Sequence, residues 1–400
     1  MENGKRNVII IGAGSTGSSI AYNLSKTGNK VTVIDQRGIA GGNTGKSSAL
    51  IRTHYSNEII ARMALYSFNV ISDFESIGYS GFRKTGMIFP FHDRDVEIAK
   101  RNVSMLKSIG IDEEIMEPAE IRHFYDDVNL DNFDFVTYEP ESGYADPVAT
   151  SNSFMEKAKG FGAVMLSKKK ALRVDSKGER VTVTLVDGKE LTGDRVVLAT
   201  NVWTNDLLSQ SGVSESNLLP ISASLHGIIY IRRPKQYVGM KPTLWDPPHA
   251  AYYKMEGETV TALGSLDPEI DRKEVDIHEF LPETVTQEYL EEYLEKIVSR
   301  LPSMRDATVI SSLTGLYDMT PDGQAVIDSL SGLGLDGVYV CAGLSGHGFK
   351  LSPAYGKIVA DMLNGEDPEK SIFDWRPFNM RRFREGKLIK SLYADIATIY

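Results

Sequence analysis

Residues 8–17 read Val-Ile-Ile-Ile-Gly-Ala-Gly-Ser-Thr-Gly, and residues 31–35 read Val-Thr-Val-Ile-Asp. The first four residues form a short apolar run rich in β-branched side chains, which predicts a buried strand. A helical stretch separates this run from the second one, which predicts another strand. The order of strand, glycine turn, helix, strand and acid is typical of a nucleotide-binding βαβ unit.

The glycines of this unit follow the pattern G-x-G-x-x-G, and each has a physical role. Gly12 permits the tight turn, Gly14 lets the backbone approach a pyrophosphate, and Gly17 lets helix and strand pack closely. The helix N-terminus offers free N–H groups to phosphates, and Asp35 is placed to accept ribose hydroxyls. Because the whole context is present, we interpret the motif as a dinucleotide site and not as an ordinary glycine turn. The motif alone does not distinguish FAD from NAD(P).

Composition limits the other classes of function. A chain of 400 residues predicts two domains, and a net charge of −10 argues against nucleic acid or an anionic membrane as a partner. The single cysteine, Cys341, excludes an intrachain disulfide and a cysteine-based metal cluster, and we expect it to be buried and no metal to be bound. No apolar run is long enough to span a membrane and we recognise no signal peptide, so we expect a cytoplasmic protein.

The order of elements predicts interleaved domains. A second strand–glycine loop–helix unit occurs near the end of the chain, whereas the middle contains strands of antiparallel type and helices over about 58–76 and 283–300. The expected fold class is mixed α/β, with a Rossmann-like nucleotide-binding domain interleaved with a sheet-rich substrate domain. The expected boundaries are 1–85, 143–220 and 310–400 for the first domain, and 86–142 and 221–309 for the second.

The glycine-rich segment 38–48 resembles a phosphate-binding P-loop only superficially, because Ala40 stands where that motif requires its first glycine. We interpret the segment as a loop that wraps the cofactor, with the hydroxyls of Ser47 and Ser48 near its phosphate or ring. Arg52 follows, and its guanidinium suits either a bidentate carboxylate contact or an interdomain salt bridge.

A late loop, residues 337–353, runs from a strand into a helix through Gly343, Gly346 and Gly348. Its helix N-terminus and Lys350 would stabilise negative charge on a reduced flavin, or a substrate carboxylate. A hydrolase nucleophile elbow is rejected, because His347 occupies the position where that motif needs glycine. We expect His347 to hydrogen-bond the cofactor.

Five segments together carry a family resemblance: the opening motif, Gly143–Pro147, Val196–Trp203, Leu316–Asp322 and Gly343–Pro353. Over nearly its whole length the chain resembles the D-amino-acid-oxidase superfamily of FAD-dependent amine oxidoreductases, in the branch of sarcosine oxidase and its β-subunit relatives, L-proline dehydrogenase and glycine oxidase. The resemblance implies FAD, and oxidation of the C–N bond of a small secondary or N-methylated amino acid. A hydride would pass to flavin N5, and water would hydrolyse the resulting imine.

The resemblance also implies site residues. Arg52 and Lys350 would hold the substrate carboxylate, Tyr317 would line the substrate pocket, and Lys254 would lie on a strand facing the flavin. The expected cofactor-binding residues are Gly12, Gly14, Ser15, Thr16, Gly17, Asp35, Gln36, Arg37, Thr44, Ser47, Ser48, Val174, Thr200, Asn201, Trp203, Gly343, Gly346, His347, Gly348, Phe349 and Lys350.

The chain departs from the family pattern at three positions. Gly315 stands where some members carry a flavin-linking cysteine, and Lys46 where others carry a flavin-linking histidine, so we expect non-covalent FAD. Asn201 stands where the family strand usually continues into glycine. Since the sequence ends at Tyr400, we expect no folate-binding domain.

Alternative functions follow from the same residues. The chain could be a dehydrogenase subunit that passes electrons to a partner redox protein instead of O2, or an oxidase of D-amino acids or glycine. A flavin-bearing scaffold without turnover is a weaker alternative, because Arg52, Tyr317 and Lys350 are all present. An NAD-dependent dehydrogenase is disfavoured by the late loop. The expected partners are a small amino acid, an electron acceptor, and further copies or other subunits in an oligomer.

Overall fold

The computed structural model describes residues 5–391, which form twenty strands and nine α-helices. The strands are β1 (Asn7–Ile11), β2 (Lys30–Asp35), β3 (Leu50–Ile51), β4 (Arg83–Lys84), β5 (Met87–Phe91), β6 (Glu114–Met116), β7 (Phe135–Glu139), β8 (Gly143–Tyr144), β9 (Val164–Ser167), β10 (Ala171–Lys177), β11 (Arg180–Leu185), β12 (Glu190–Gly193), β13 (Arg195–Leu198), β14 (Ser222–Arg232), β15 (Thr243–Asp246), β16 (Ala251–Glu256), β17 (Val260–Ser265), β18 (Thr308–Met319), β19 (Val326–Ser329) and β20 (Val338–Ala342). The helices are α1 (Ser15–Lys26), α2 (Glu58–Ser72), α3 (Val96–Ser108), α4 (Pro147–Gly160), α5 (Thr204–Gln210), α6 (Pro268–Arg272), α7 (Gln287–Arg300), α8 (Ser352–Asn364) and α9 (Arg381–Glu385).

A six-stranded sheet contains the predicted βαβ unit, in the order β19-β20-β13-β1-β2-β9. All its pairs are parallel except β19 with β20. Strand β1 is apolar throughout because both of its faces are covered. Val8 and Ile10 pack in one cluster with α1, α4 and α8, whereas Ile9 and Ile11 pack in another with the antiparallel sheet β10-β11-β12.

A second, larger sheet has eight strands in the order β18-β14-β17-β16-β15-β5-β7-β6. Its pairs are antiparallel except β15 with β5. Helix α7 covers one face of it, where Tyr293 and Ile297 join a buried cluster. A small sheet, β3-β8-β4, lies in the chain segments that lead from the first large sheet to the second.

The mixed α/β fold class is confirmed, while the division into two domains stays a prediction. Two helix boundaries were wrong. Helix α2 ends at Ser72 because Asp73 leaves the helical region, and α7 begins only at Gln287, after Thr286 caps it. Cys341 is a buried free thiol, as expected, and burial raises its pKa. Within residues 5–391, we find no helix with the length and apolarity needed to cross a membrane.

A buried ion pair joins α7 to the large sheet. Arg300 donates from Nε to Asp246 Oδ2 at 2.8 Å and from Nη2 to Oδ1 at 3.0 Å, and both side chains are fully buried. The guanidinium also stacks on the ring of Phe133. Removing Arg300 takes the guanidinium away from the buried Asp246 carboxylate, which keeps only its contact with His249 Nδ1 at 2.9 Å among the described ion-pair partners.

We therefore expect Arg300→Met to lower the free energy of unfolding by about 3–5 kcal/mol. The matched control is Arg272→Met, since Arg272 pairs with Glu269 on the surface, and we expect it to cost less than about 1 kcal/mol. Urea unfolding followed by tryptophan fluorescence measures both. Equal losses would contradict a structural role for the buried pair.

Candidate active site

A cavity open to solvent, here called the first cavity, lies at the carboxyl ends of the parallel strands, and its volume with the adjoining open space is about 1490 Å³. The turn after β1, the end of β2 and the segment after β13 all contribute to its wall. This edge of an open α/β sheet is where such folds bind ligands, because the loops diverge there and leave a crevice.

The glycine turn fits its predicted role, because there is no room for side chains at its first and last positions. Gly12 has a φ of +109°, and a Cβ atom there would lie 2.2 Å from the carbonyl oxygen of Ala199. A Cβ atom on Gly17 would lie 2.0 Å from the carbonyl oxygen of Gly12. A Cβ on Gly14 would approach Thr44 Oγ1 to 2.8 Å on the cavity wall.

The polar groups of this wall also suit a dinucleotide. The N-cap Gly14 supplies no side-chain cap for helix α1, and the N–H of Ser15 donates to Thr44 Oγ1 at 3.1 Å, so the N–H groups of Thr16 and Gly17 are the ones that suit phosphate oxygens. Buried Thr16 Oγ1, next to them, has no hydrogen-bond partner among the described residues. The Asp35 carboxylate accepts the N–H groups of Ala13, Arg37 and Gly38, which leaves about one of its four acceptor positions for a ribose hydroxyl.

Asn201 takes the backbone conformation that glycine takes in the family pattern. Its φ is +53°, in the left-handed region that asparagine tolerates better than most residues. Its side-chain oxygen accepts from Asn43 Nδ2 at 2.8 Å, which ties the segment after β13 to the loop after β2. The departure from glycine is therefore accommodated without loss of the turn.

Most predicted cofactor residues line the first cavity. They are Gly12, Gly14, Ser15, Thr16, Gly17, Asp35, Gln36, Arg37, Thr44, Ser47, Thr200, Asn201, Trp203, Gly346, Gly348 and Phe349. The guanidinium of Arg37 lies 5.1 Å from the ring centre of Trp203, so these two form one aromatic–cationic surface. Their contacts with a cofactor stay predictions.

Two predicted cofactor residues line neither the first cavity nor the second cavity that is described below. Val174 is buried in the cluster beneath β10, and Lys169, Lys170 and Ala171 line the cavity in its place. Gly343 lies behind the wall, where its N–H donates to Asp318 Oδ2 at 2.7 Å. Burial raises the pKa of that carboxyl to about 7.

A second cavity of about 750 Å³ adjoins the first, and Ser47, Tyr317, Gly346 and Phe349 line both. Of the remaining predicted site residues, Ser48, Arg52, His347 and Lys350 line this second cavity only. It therefore brings together three of the four predicted catalytic residues, Arg52, Tyr317 and Lys350.

The second cavity contains two neighbouring basic side chains, Arg52 and Lys350. Arg52 is 3% exposed, and its Nε has no hydrogen-bond partner among the described residues. Its guanidinium lies between the rings of Tyr55 and Trp245, at 4.1 and 5.1 Å from their centres. Desolvation and the charge of Arg52 hold the pKa of Lys350 well below its usual value. Such a pair favours an anionic ligand.

Glu139, at the end of β7, fixes the backbone that follows Arg52. Its carboxylate accepts the N–H and hydroxyl of Thr53 and the N–H of His54, and all three residues are buried. Arg52 in turn donates to the carbonyl of His54. Burial, followed by the charge of Glu113, raises the pKa of Glu139.

Lys254 does not line either cavity. Its ammonium donates to the carbonyl of Ser48 at 2.8 Å and pairs with Glu256 at 3.0 Å, so it supports the loop that carries Ser48. On the same face of β16, two residues earlier, Tyr252 lines the second cavity.

Sequence reasoning missed several residues of the second cavity. They are His226, Trp245, Tyr252, Ser265, Leu266 and Asp271. Only Tyr252 had a signal, since it lies in the strand that was proposed to face the flavin.

Most of the chain matches one known protein family. The model of the family described as FAD dependent oxidoreductase (DAO) matches residues 7–362. Mouse mitochondrial sarcosine dehydrogenase is 23% identical over 95% of this chain, and sarcosine oxidase subunit beta of an Arthrobacter species is 24% identical over 96% of it. The crystal structure of L-proline dehydrogenase from P. horikoshii superposes with a TM-score of 0.84 at 26% identity, covering 96% of this chain and 99% of that one.

The fraction of each relative's own length that the match covers differs from one relative to the next. The match covers 92% of the Arthrobacter subunit but 42% of the mouse enzyme, so the chain spans about two fifths of that relative's length. The family resemblance predicted from the sequence is confirmed, and with it FAD as the cofactor of the family.

We expect Glu139→Ala to destabilise the protein by about 3 kcal/mol or more, because it leaves three buried donors without an acceptor. Glu141→Ala is the control two residues away, since Glu141 forms an exposed pair with Lys84 and should cost less than about 1 kcal/mol. Urea unfolding measures both variants. A Glu139→Ala protein as stable as the control would contradict the role assigned to this carboxylate.

Proposed function

The chain belongs to the DAO family of FAD-dependent oxidoreductases, and we propose that it oxidises the C–N bond of a small secondary or N-methylated amino acid. The observation that carries the proposal is the pair of basic side chains, Arg52 and Lys350, in a cavity that adjoins the first cavity. A carboxylate is the anion whose shape matches the guanidinium fork.

FAD, when bound, supplies the two-electron acceptor for this chemistry. The first cavity suits its dinucleotide part, with the pyrophosphate at the N-terminus of α1 and the adenosine ribose at Asp35. We propose that it is held without a covalent link, because Gly315 and Lys46 stand at the two linking positions. Acid precipitation should then release the flavin into the supernatant.

The residues of the second cavity bind and orient the substrate. Arg52 and Lys350 would hold its carboxylate, which fixes the α-carbon against the wall shared by the two cavities. Phe349, Trp245 and Tyr252 give this space an aromatic lining. Positioning of this kind accelerates a reaction by removing the entropy of encounter. Water then hydrolyses the imine product.

Two further points stay predictions. Similarity to a sarcosine oxidase subunit and to a proline dehydrogenase supports a partner subunit or redox protein as electron acceptor, as an alternative to O2. The cytoplasmic location and the division into two domains rest on the sequence alone.

The test is anaerobic titration of the holoenzyme with sarcosine and with L-proline. We expect the visible flavin absorption to bleach with at least one of them. Readmission of air then separates an oxidase, which recovers its colour, from a dehydrogenase. A flavin spectrum that neither compound changes would contradict the proposed substrate class.

Arg52→Met tests the carboxylate contact. Removing one partner of a desolvated charge pair costs about 2–5 kcal/mol, so we expect substrate to bind about thirtyfold more weakly or worse, with normal flavin content. Arg62→Met, on an exposed face of α2, is the control. An unchanged KM in Arg52→Met would show that the arginine does not bind substrate.

Lys350 predicts a pH dependence of anion binding. Its pKa is depressed in the empty cavity, and a bound carboxylate favours the charged form and so raises it. Between these two values, affinity for propanoate should fall about tenfold per pH unit as the pH rises. The pKa of His347 is lowered well below its usual value, so this histidine does not account for such a slope.

Dissociation constants for propanoate, measured from about pH 6 to about pH 10, check this prediction. Lys350→Met should bind more weakly at low pH and show a flat profile. The same slope in both proteins would assign the titration to another group.

A further inference from the structure

Asp271 places a carboxylate in the wall of the second cavity. This negatively charged group does not help to bind the carboxylate of the proposed substrate. It belongs to α6, and its side chain is 15% exposed. His226 and Tyr317 lie beside it in the same wall. The other charged and aromatic side chains named so far in this cavity are basic or aromatic, so the presence of an acid needs an explanation.

The position of Asp271 is held on both sides along the chain. On the N-terminal side, Asp267 caps α6 by accepting the N–H of Glu269 at 2.9 Å. On the C-terminal side, the N–H of Val275 donates to the carbonyl of Ala223 at 2.8 Å, and Glu274 forms a bridge with Ser224 on β14. The backbone segment that carries Asp271 is therefore tied to β14 at its C-terminal end.

The histidine beside Asp271 supplies no positive charge. His226 Nε2 lies 3.5 Å from Asp271 Oδ1 and 2.9 Å from the hydroxyl of Ser224. Burial lowers the pKa of His226 to about 3, so its imidazole is neutral at physiological pH. Its ring stacks on Tyr317 with centres 3.8 Å apart, which fixes its orientation.

Positive and negative charges act on different groups of this cavity. Burial lowers the pKa values of Lys350 and His347 and the charge of Arg52 adds to both shifts, whereas burial raises the pKa of Tyr317 and the charge of Asp271 adds to that shift. The cavity thus presents basic side chains around the late loop and an acid near Tyr317. A ligand with charges of both signs complements this arrangement better than a simple anion does.

We propose that Asp271 is a specificity residue that recognises the substrate amine in its cationic form, so that the ligand class of the cavity is the dipolar ion of an amino acid. The inference rests on the proposed function, because the carboxylate of that ion is assigned to Arg52 and Lys350. Asp271 supplies the second charge contact, and the neutral His226 and Tyr317 hold the amine beside it. A monocarboxylate of the same shape makes only the first contact.

A matched pair of ligands tests this. Glycine betaine carries a permanent ammonium charge, and 3,3-dimethylbutanoate has the same shape with a carbon in place of the nitrogen. We expect calorimetry on the anaerobic holoenzyme to show betaine binding about tenfold more tightly or better. Asp271→Asn should remove this preference. Glu269→Gln, an exposed acid of the same helix, should retain it and controls for net charge.

The outcomes separate the inference from the proposed function. Equal affinities of the two ligands in the unmodified enzyme, or an Asp271→Asn protein that keeps the preference, would overturn the inference. If Arg52→Met left the binding of both ligands unchanged, the carboxylate assignment itself would fail. Glycine and propanoate form a smaller pair of the same design, and they decide the question if the trimethyl ligands are too large for the cavity.

Discussion

The carboxylate of Glu139 is the interaction on which the second cavity depends. It belongs to β7 of the eight-stranded sheet, yet its acceptors are used by the backbone of Thr53 and His54, which follow β3. Those donors lie in irregular backbone, where no neighbouring strand can satisfy them. By accepting them, one side chain ties the segment that carries Arg52 to the large sheet, and so determines where the guanidinium lies.

That placement also determines the surroundings of the second basic side chain, Lys350. Burying charge is costly unless it is paired, and burial together with the charge of Arg52 lowers the pKa of Lys350. The rings of Tyr55 and Trp245 lie against the guanidinium and offset part of the cost of burying it. The carboxylate that we propose to bind here would favour the charged form of Lys350 and so recover part of the remaining cost.

A feature of the fold or of the site could be predicted from the sequence where it depends on residues that are close together along the chain. Gly17 is constrained by the backbone of its own βαβ unit and Gly12 by its φ of +109°, so their spacing sufficed, and Asn201 could replace glycine because asparagine tolerates a positive φ. Val174 and Lys254 were placed by resemblance alone, and a shift of a few residues along a strand moved both off the cavity walls. His226 and Asp271 were missed because they meet only through the pairing of β14 with distant segments, which no local pattern encodes.

Tyr317 lines both cavities, and its ring also packs closely against residues on either side of it. One face of its ring stacks on His226, and a Cβ atom on Gly346 would lie 2.8 Å from one of its ring atoms. Gly346 has a φ of +78°, so the late loop bends there in a conformation that other residues rarely adopt. The ring is therefore held between the loop of the first cavity and the acidic wall of the second. A displacement of the late loop that moves Gly346 toward the ring must also move the tyrosine, and with it the side of the second cavity that carries His226 and Asp271.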